Sequence, residues 1–87
     1  MILRASPHAL ARRDGDELLV FHRATGDYLS ISGAGVRMWE LLTSGRSRDE
    51  ALASLLAELD VDDATAARDL DAFVADLSAR GLVEVTG

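Results

Sequence analysis

Asp27-Tyr28-Leu29-Ser30-Ile31-Ser32-Gly33-Ala34-Gly35-Val36-Arg37-Met38-Trp39-Glu40-Leu41-Leu42 changes its period halfway along. Tyr28, Leu29 and Ile31 are strand formers. Val36, Met38, Trp39, Leu41 and Leu42 instead fall at the three-and-four spacing of one helical face. Between the two halves, Ser32 offers a side-chain oxygen to the first free amides of a helix, and Gly33 offers a backbone that turns sharply. The chain reads as sheet on the N-terminal side of this junction and as helix on the C-terminal side.

Upstream, His8 to Arg13 reads as a first strand and Glu17 to His22 as a second. They are separated by Asp14-Gly15, a dipeptide that tolerates the positive φ of a two-residue hairpin loop. A looser turn at Arg23 to Gly26 leads into the third strand, Asp27 to Ile31. Met1 to Pro7 reads as an irregular or loosely paired lead-in, because Pro7 lacks an amide donor and is tolerated only at a strand start or edge. Downstream, the first helix stops near Ser44-Gly45, where glycine takes a left-handed cap. Ser47-Arg48-Asp49-Glu50 is a capping box that starts a second helix, with Leu52, Leu55, Leu56 and Leu59 as its stripe. Asp60 to Asp63 ends that helix and puts carboxylates at the positive end of the next. The third helix carries Ala66, Leu70, Phe73, Val74 and Leu77 and ends at Arg80-Gly81. Leu82 to Val85 is an extended tail that packs back on the core.

Three strands followed by three helices predict an α+β fold with helices on one side of a small antiparallel meander. At 87 residues the chain is a single domain, 1–87, and buries only about two thirds of its unfolded surface. It has no cysteine, so disulfides, thiolate metal sites and a thiol nucleophile are excluded. No apolar run approaches the ~20 residues that cross a bilayer, and no basic-apolar leader is visible. A cytoplasmic protein without membrane contact is expected.

The net charge of −6 is unevenly spread. Six arginines face five acids up to Arg46; three face ten from Ser47 on. The helical half is acidic and the chain has no lysine, which argues against nucleic acid, whose phosphates are bound by clustered cations. A search for chemistry finds little. His8 and His22 are strand-end residues that do not close a metal site. No Gly-x-Ser-x-Gly elbow surrounds any serine. Gly33-Ala34-Gly35 lacks the third glycine and the βαβ setting of a dinucleotide loop. Asp60, Asp62 and Asp63 are too close together for a calcium loop. No nucleophile with a base, bound metal or cofactor pocket emerges, so a non-catalytic protein without cofactor is expected. The third strand, with no Pro or Lys to blunt it, leaves an open edge that is a docking site or an aggregation liability.

The order and spacing of several pieces resemble the PqqD-like proteins. These are Arg23-Ala24-Thr25-Gly26-Asp27-Tyr28-Leu29-Ser30-Ile31, Gly33-Ala34-Gly35, Met38-Trp39-Glu40-Leu41-Leu42 with Gly45, Leu55 to Asp62, Asp69 to Phe73, Leu77, and Gly81-Leu82-Val83. The family often has Leu-Asn-x-Thr where this chain has Ile31-Ser32-Gly33-Ala34. The resemblance implies a winged-helix-like fold and capture of the leader of a ribosomally made precursor peptide, added as a strand beside the third strand in a groove walled by the third helix. Asp27, Tyr28, Leu29, Ser30 and Ile31 would then pair with the leader, and Ala67, Leu70, Asp71, Val74 and Ala75 would line its pockets. It also implies delivery to enzymes: a leader peptidase and cyclase in the lasso-peptide subtype, favoured by the Thr-Gly-x-Tyr turn, or a radical-SAM enzyme in another. Two other readings stay open, a winged-helix DNA-binding regulator and a structural homodimer paired through the same edge.

Overall fold

The computed structural model describes residues 2–86. Its elements run β1 (Ile2–Ala5), β2 (Ala9–Asp14), β3 (Glu17–His22), β4 (Tyr28–Ile31), α1 (Ala34–Leu42), α2 (Arg48–Glu58), α3 (Asp63–Ala79) and β5 (Val83–Thr86). The meander is present as β2-β3-β4, antiparallel throughout. Asp14 pairs with Glu17, so the hairpin loop is Gly15-Asp16, one residue later than Asp14-Gly15 suggests. Only Gly15 has positive φ, at 61°, the pattern of a loop with glycine at its first central position.

The first correction concerns the lead-in, which is regular and paired where an irregular or loosely paired segment is expected. Residues 2–5 form β1, which pairs antiparallel with β5 in a second, two-stranded sheet, Leu3 opposite Val85 and Ala5 opposite Val83; Met1, the start of that lead-in, lies outside the described residues. Four residues whose partner lies some eighty positions away carry no local signal of pairing. Leu3 is the only buried residue of β1, and it is fully buried. The second correction is at the sheet-to-helix junction. Gly33, with φ 59°, occupies the N-cap of α1, and no side chain caps it. A side-chain cap needs extended backbone at the capping residue, and the left-handed turn at Gly33 moves the helix start one residue past Ser32. The Ser32 carbonyl accepts instead from the Gly35 amide at 3.2 Å.

Elsewhere the ends are set by side chains near them. Ser47 and Glu50 form the reciprocal capping box of α2, and Asp62 caps α3 through the Thr65 amide. After α3, Gly81 (φ 71°) donates to the Ser78 carbonyl and Leu82 to the Leu77 carbonyl, the paired bonds of a Schellman stop. Leu77 and Leu82 are both buried beside this turn, which aims the chain into β5.

Leu18 and Val20 of β3 and Ile31 of β4 alternate inward and meet Trp39, Leu41 and Leu42 of α1, Leu55 of α2, and Leu70, Val74 and Leu77 of α3 in one core. In α2 the fully buried positions are Ala51 and Leu55; Leu52 and Leu59 pack at its margin and Leu56 is half-buried. Arg48 reaches from the start of α2 to Asp71 in α3 with two parallel bonds of 2.9 and 2.8 Å. Arg37 does the same from α1 to Glu58 at 2.7 and 2.9 Å.

Candidate peptide-binding edge

Antiparallel partners alternate between rungs that exchange hydrogen bonds and rungs that do not. The His22 amide donates to the Asp27 carbonyl at 2.8 Å, and Leu29 and Ile31 continue that bonded set against β3. Tyr28 and Ser30 are the intervening residues, so their main-chain groups point away from β3, toward the free edge of β4. The sheet order leaves β4 at the margin of the meander. Along the other axis, Leu29 and Ile31 turn their side chains inward, half-buried and buried, while Tyr28 and Ser30 are exposed on the outer face. Tyr28 is 58% exposed and its ring packs against Phe21 with centroids 6.0 Å apart.

Beside this edge lies a cleft of about 300 Å³, lined by Leu29, Ser30, Ile31, Ser32, Gly35, Phe73 and Asp76. Strand β4 forms one wall and α3 the other. Its apolar surfaces are Leu29, Ile31 and Phe73, and among the described residues Asp76 is its only charged wall residue. Gly35 belongs here for want of a side chain: a Cβ at that position would lie 2.9 Å from Ile31 Cγ2. Arg80, one turn beyond Asp76, donates to it through Nε at 3.1 Å and lies 3.4 Å from both Asp27 Oδ2 and the Tyr28 carbonyl oxygen.

The structure brings Leu29, Ser30 and Ile31 to the cleft, with Tyr28 on the same edge and Asp27 just before it. It does not bring the expected residues of α3 to this cleft. Leu70 (0% exposed) and Val74 (8%) belong to the core, Asp71 is tied to Arg48 of α2, Ala67 is half-buried, and Ala75 is exposed without lining the cleft. The face turned toward β4 carries Phe73, Asp76 and Arg80, spaced by three and four, along one margin of the apolar stripe. A stripe of apolar residues marks a buried face, and a groove wall is what adjoins that stripe on one side. Which side depends on how α3 is rotated over the sheet. The half-buried Phe73 at the margin of the apolar stripe was the one available signal.

Charge on the helices is largely spoken for. The guanidiniums of Arg48, Arg68 and Arg80 each lie within 4.0 Å of a carboxylate: Asp71, Asp69 and Asp76 respectively. Hydrogen bonds from Arg48 hold the Asp71 carboxyl below its ordinary range, and those from Arg37 do the same for Glu58. His22 has a local role: its Nδ1 accepts from the amides of Ala24 and Thr25, both at 3.2 Å, fixing the turn before β4, and its ring stacks on His8 at 5.3 Å. Among the described residues no three His, Cys, Asp or Glu side chains gather as a metal site, and no helix is long and apolar enough to cross a membrane.

A short antiparallel sheet with an open edge, facing a helix across a cleft, defines a class of small α+β domains. The particular family is shown by comparison: residues 17–83 match the family described as coenzyme PQQ synthesis protein D (PqqD), and this chain belongs to that family. Among solved structures, the chain is similar to "TbiB1 in Complex with the TbiA(beta) Leader Peptide", at 31% identity and a TM-score of 0.87, over 97% of this chain and 98% of that one. It shares its fold with "Lasso peptide synthetase B1 complexed with the leader peptide", at 20% identity and a TM-score of 0.88, over 98% and 100% of the two chains. No curated protein matches it.

Proposed function

We propose that this protein is a non-catalytic recognition element that captures the leader of a ribosomally synthesised precursor peptide as an added strand along β4 and hands the precursor to processing enzymes. The observation that carries the reading is the pairing of an outward-facing main chain at Tyr28 and Ser30 with an apolar cleft alongside it. Main-chain bonds attach any extended peptide, and alternate side chains dropped into the cleft select one. Its likeness to TbiB1, a protein solved with a leader peptide and similar over nearly its whole length, supports leader capture; the Thr25-Gly26-Asp27-Tyr28 turn favours the lasso-peptide type, in which the receiving enzymes are a leader peptidase and a cyclase.

Magnitudes assign the two parts their roles. Two outward-facing residues exchange up to four hydrogen bonds with an added strand, and at about 1 kcal/mol net each these supply at most about 4 kcal/mol, because the Tyr28 groups already have partners within the protein. Micromolar binding needs about 8 kcal/mol. The difference is the size expected from burying one or two large apolar side chains at about 1.5–3 kcal/mol each. Specificity therefore resides in the cleft. A winged-helix DNA-binding role has less support, because the arginines of α2 and α3 are already engaged by carboxylates.

The test is fluorescence polarisation of a labelled leader, taken from the short open reading frame beside this gene, against wild type and Ser30→Pro. The Ser30 amide faces the free edge, so proline there removes no bond to β3 and is tolerated as edge prolines are. Saturable micromolar binding by wild type, weakened at least tenfold in a folded Ser30→Pro, is the expected result. Equal binding by the two proteins excludes strand addition at β4.

A further inference from the structure

Tyr28 and Ser30 both face the free edge, yet they are not equivalent. The Tyr28 amide donates to the Asp27 carboxylate at 2.9 Å, and its carbonyl accepts from Arg80 Nη1 at 3.4 Å. The same guanidinium lies 3.4 Å from Asp27 Oδ2 and donates through Nε to Asp76 at 3.1 Å, so Arg80 spans from the end of α3 to the start of β4. Among the described residues no side chain bonds to the Ser30 main chain. One half of the docking edge is thus already occupied, by groups of the protein itself.

We infer that Arg80 guards the β4 edge: it holds the Tyr28 carbonyl that an added strand needs, and it is displaced when a peptide pairs there. The inference rests on the strand-addition reading. A contact of 3.4 Å is at the long limit for a hydrogen bond, whereas a peptide amide in a ladder sits near 2.9–3.0 Å, so the ligand's donor replaces a weaker one. The guard also denies the edge to a second copy of the chain, which supplies a peptide amide but cannot fill the cleft as a matching leader does. Arg80 is therefore a positioning residue that sets a threshold for binding.

The experiment compares leader affinity for wild type, Arg80→Ala and Asp27→Asn, with melting curves to establish that each is folded. Asp27→Asn keeps an oxygen for the Tyr28 amide and removes the charge that draws Arg80 Nη1 to the β4 edge, leaving Asp76 to hold Nε. Both variants are expected to bind the leader about three- to tenfold more tightly, the exchange of one modest hydrogen bond. Unchanged or weaker binding in the two folded variants overturns the inference, weaker binding making Arg80 a ligand contact. The strand-addition reading is judged separately, by wild-type binding and its loss in Ser30→Pro.

Discussion

Gly35 is the residue on which the cleft depends most directly. Alanine there gains helix propensity of up to about 1 kcal/mol. It also brings a Cβ to 2.9 Å from Ile31 Cγ2, and overpacking of that kind costs about 1–3 kcal/mol. The propensity gain offsets only part of the overpacking, so Gly35→Ala should stay folded but melt up to about 15 °C below wild type, a net loss of about 0–2 kcal/mol. Because Ile31 is pushed into the space a ligand side chain uses, leader affinity should fall several-fold; a polarisation titration with unaltered affinity would remove Gly35 from the binding surface. Val74 makes the opposite case. It is 8% exposed among core residues, so Val74→Glu buries an unpaired carboxylate and is expected to unfold the domain, which near-ultraviolet circular dichroism would detect. Leu70→Ala, at a fully buried site, should cost about 2–5 kcal/mol in denaturant titrations.

At the scale of elements, what could be read along the chain depended on how local its causes are. The β3 boundaries, the capping box at Ser47 and Glu50, and the Asp62 cap are written in neighbouring residues and were legible. The edge of β4 was legible too, since its composition carries nothing to blunt it. The β1–β5 pairing was not, because its two halves lie at opposite ends of the chain. Nor was the rotation of α3: the stripe from Ala66 to Leu77 fixes which face is buried, but only the packed position of the helix decides that Phe73 and Asp76, rather than Val74 and Ala75, border the cleft. The capping box itself gives a clean expectation. Ser47→Ala should cost about 1 kcal/mol, read as a lower urea midpoint with an unchanged slope.

For the whole molecule, acid sensitivity arises from the paired carboxylates. Glu50 is held below its ordinary value by the Ser47 amide and hydroxyl, Asp62 by the Thr65 hydroxyl and amide, Glu58 by Arg37 and Asp71 by Arg48. Each binds its proton less readily in the folded state. Their contribution is complete above the unfolded carboxylate range of about 4 and is lost as pH falls through the lower folded values. The melting temperature is expected to hold from pH 7 to about pH 5 and to drop below about pH 4, with Asp71→Asn lessening the drop. All four groups are near the surface, so the effect of each is small and their sum is what the scan reads.

The pairing of β1 with β5 sets Ile2 opposite Thr86, so the described chain enters and leaves the fold side by side. That geometry makes the domain a cassette. Grafted into a surface loop of a larger enzyme, it would not stretch its host, and the β4 edge would travel with it intact. A circular permutant opened between Gly15 and Asp16, with Thr86 joined to Ile2 through a short glycine-serine connector, should therefore keep both sheets.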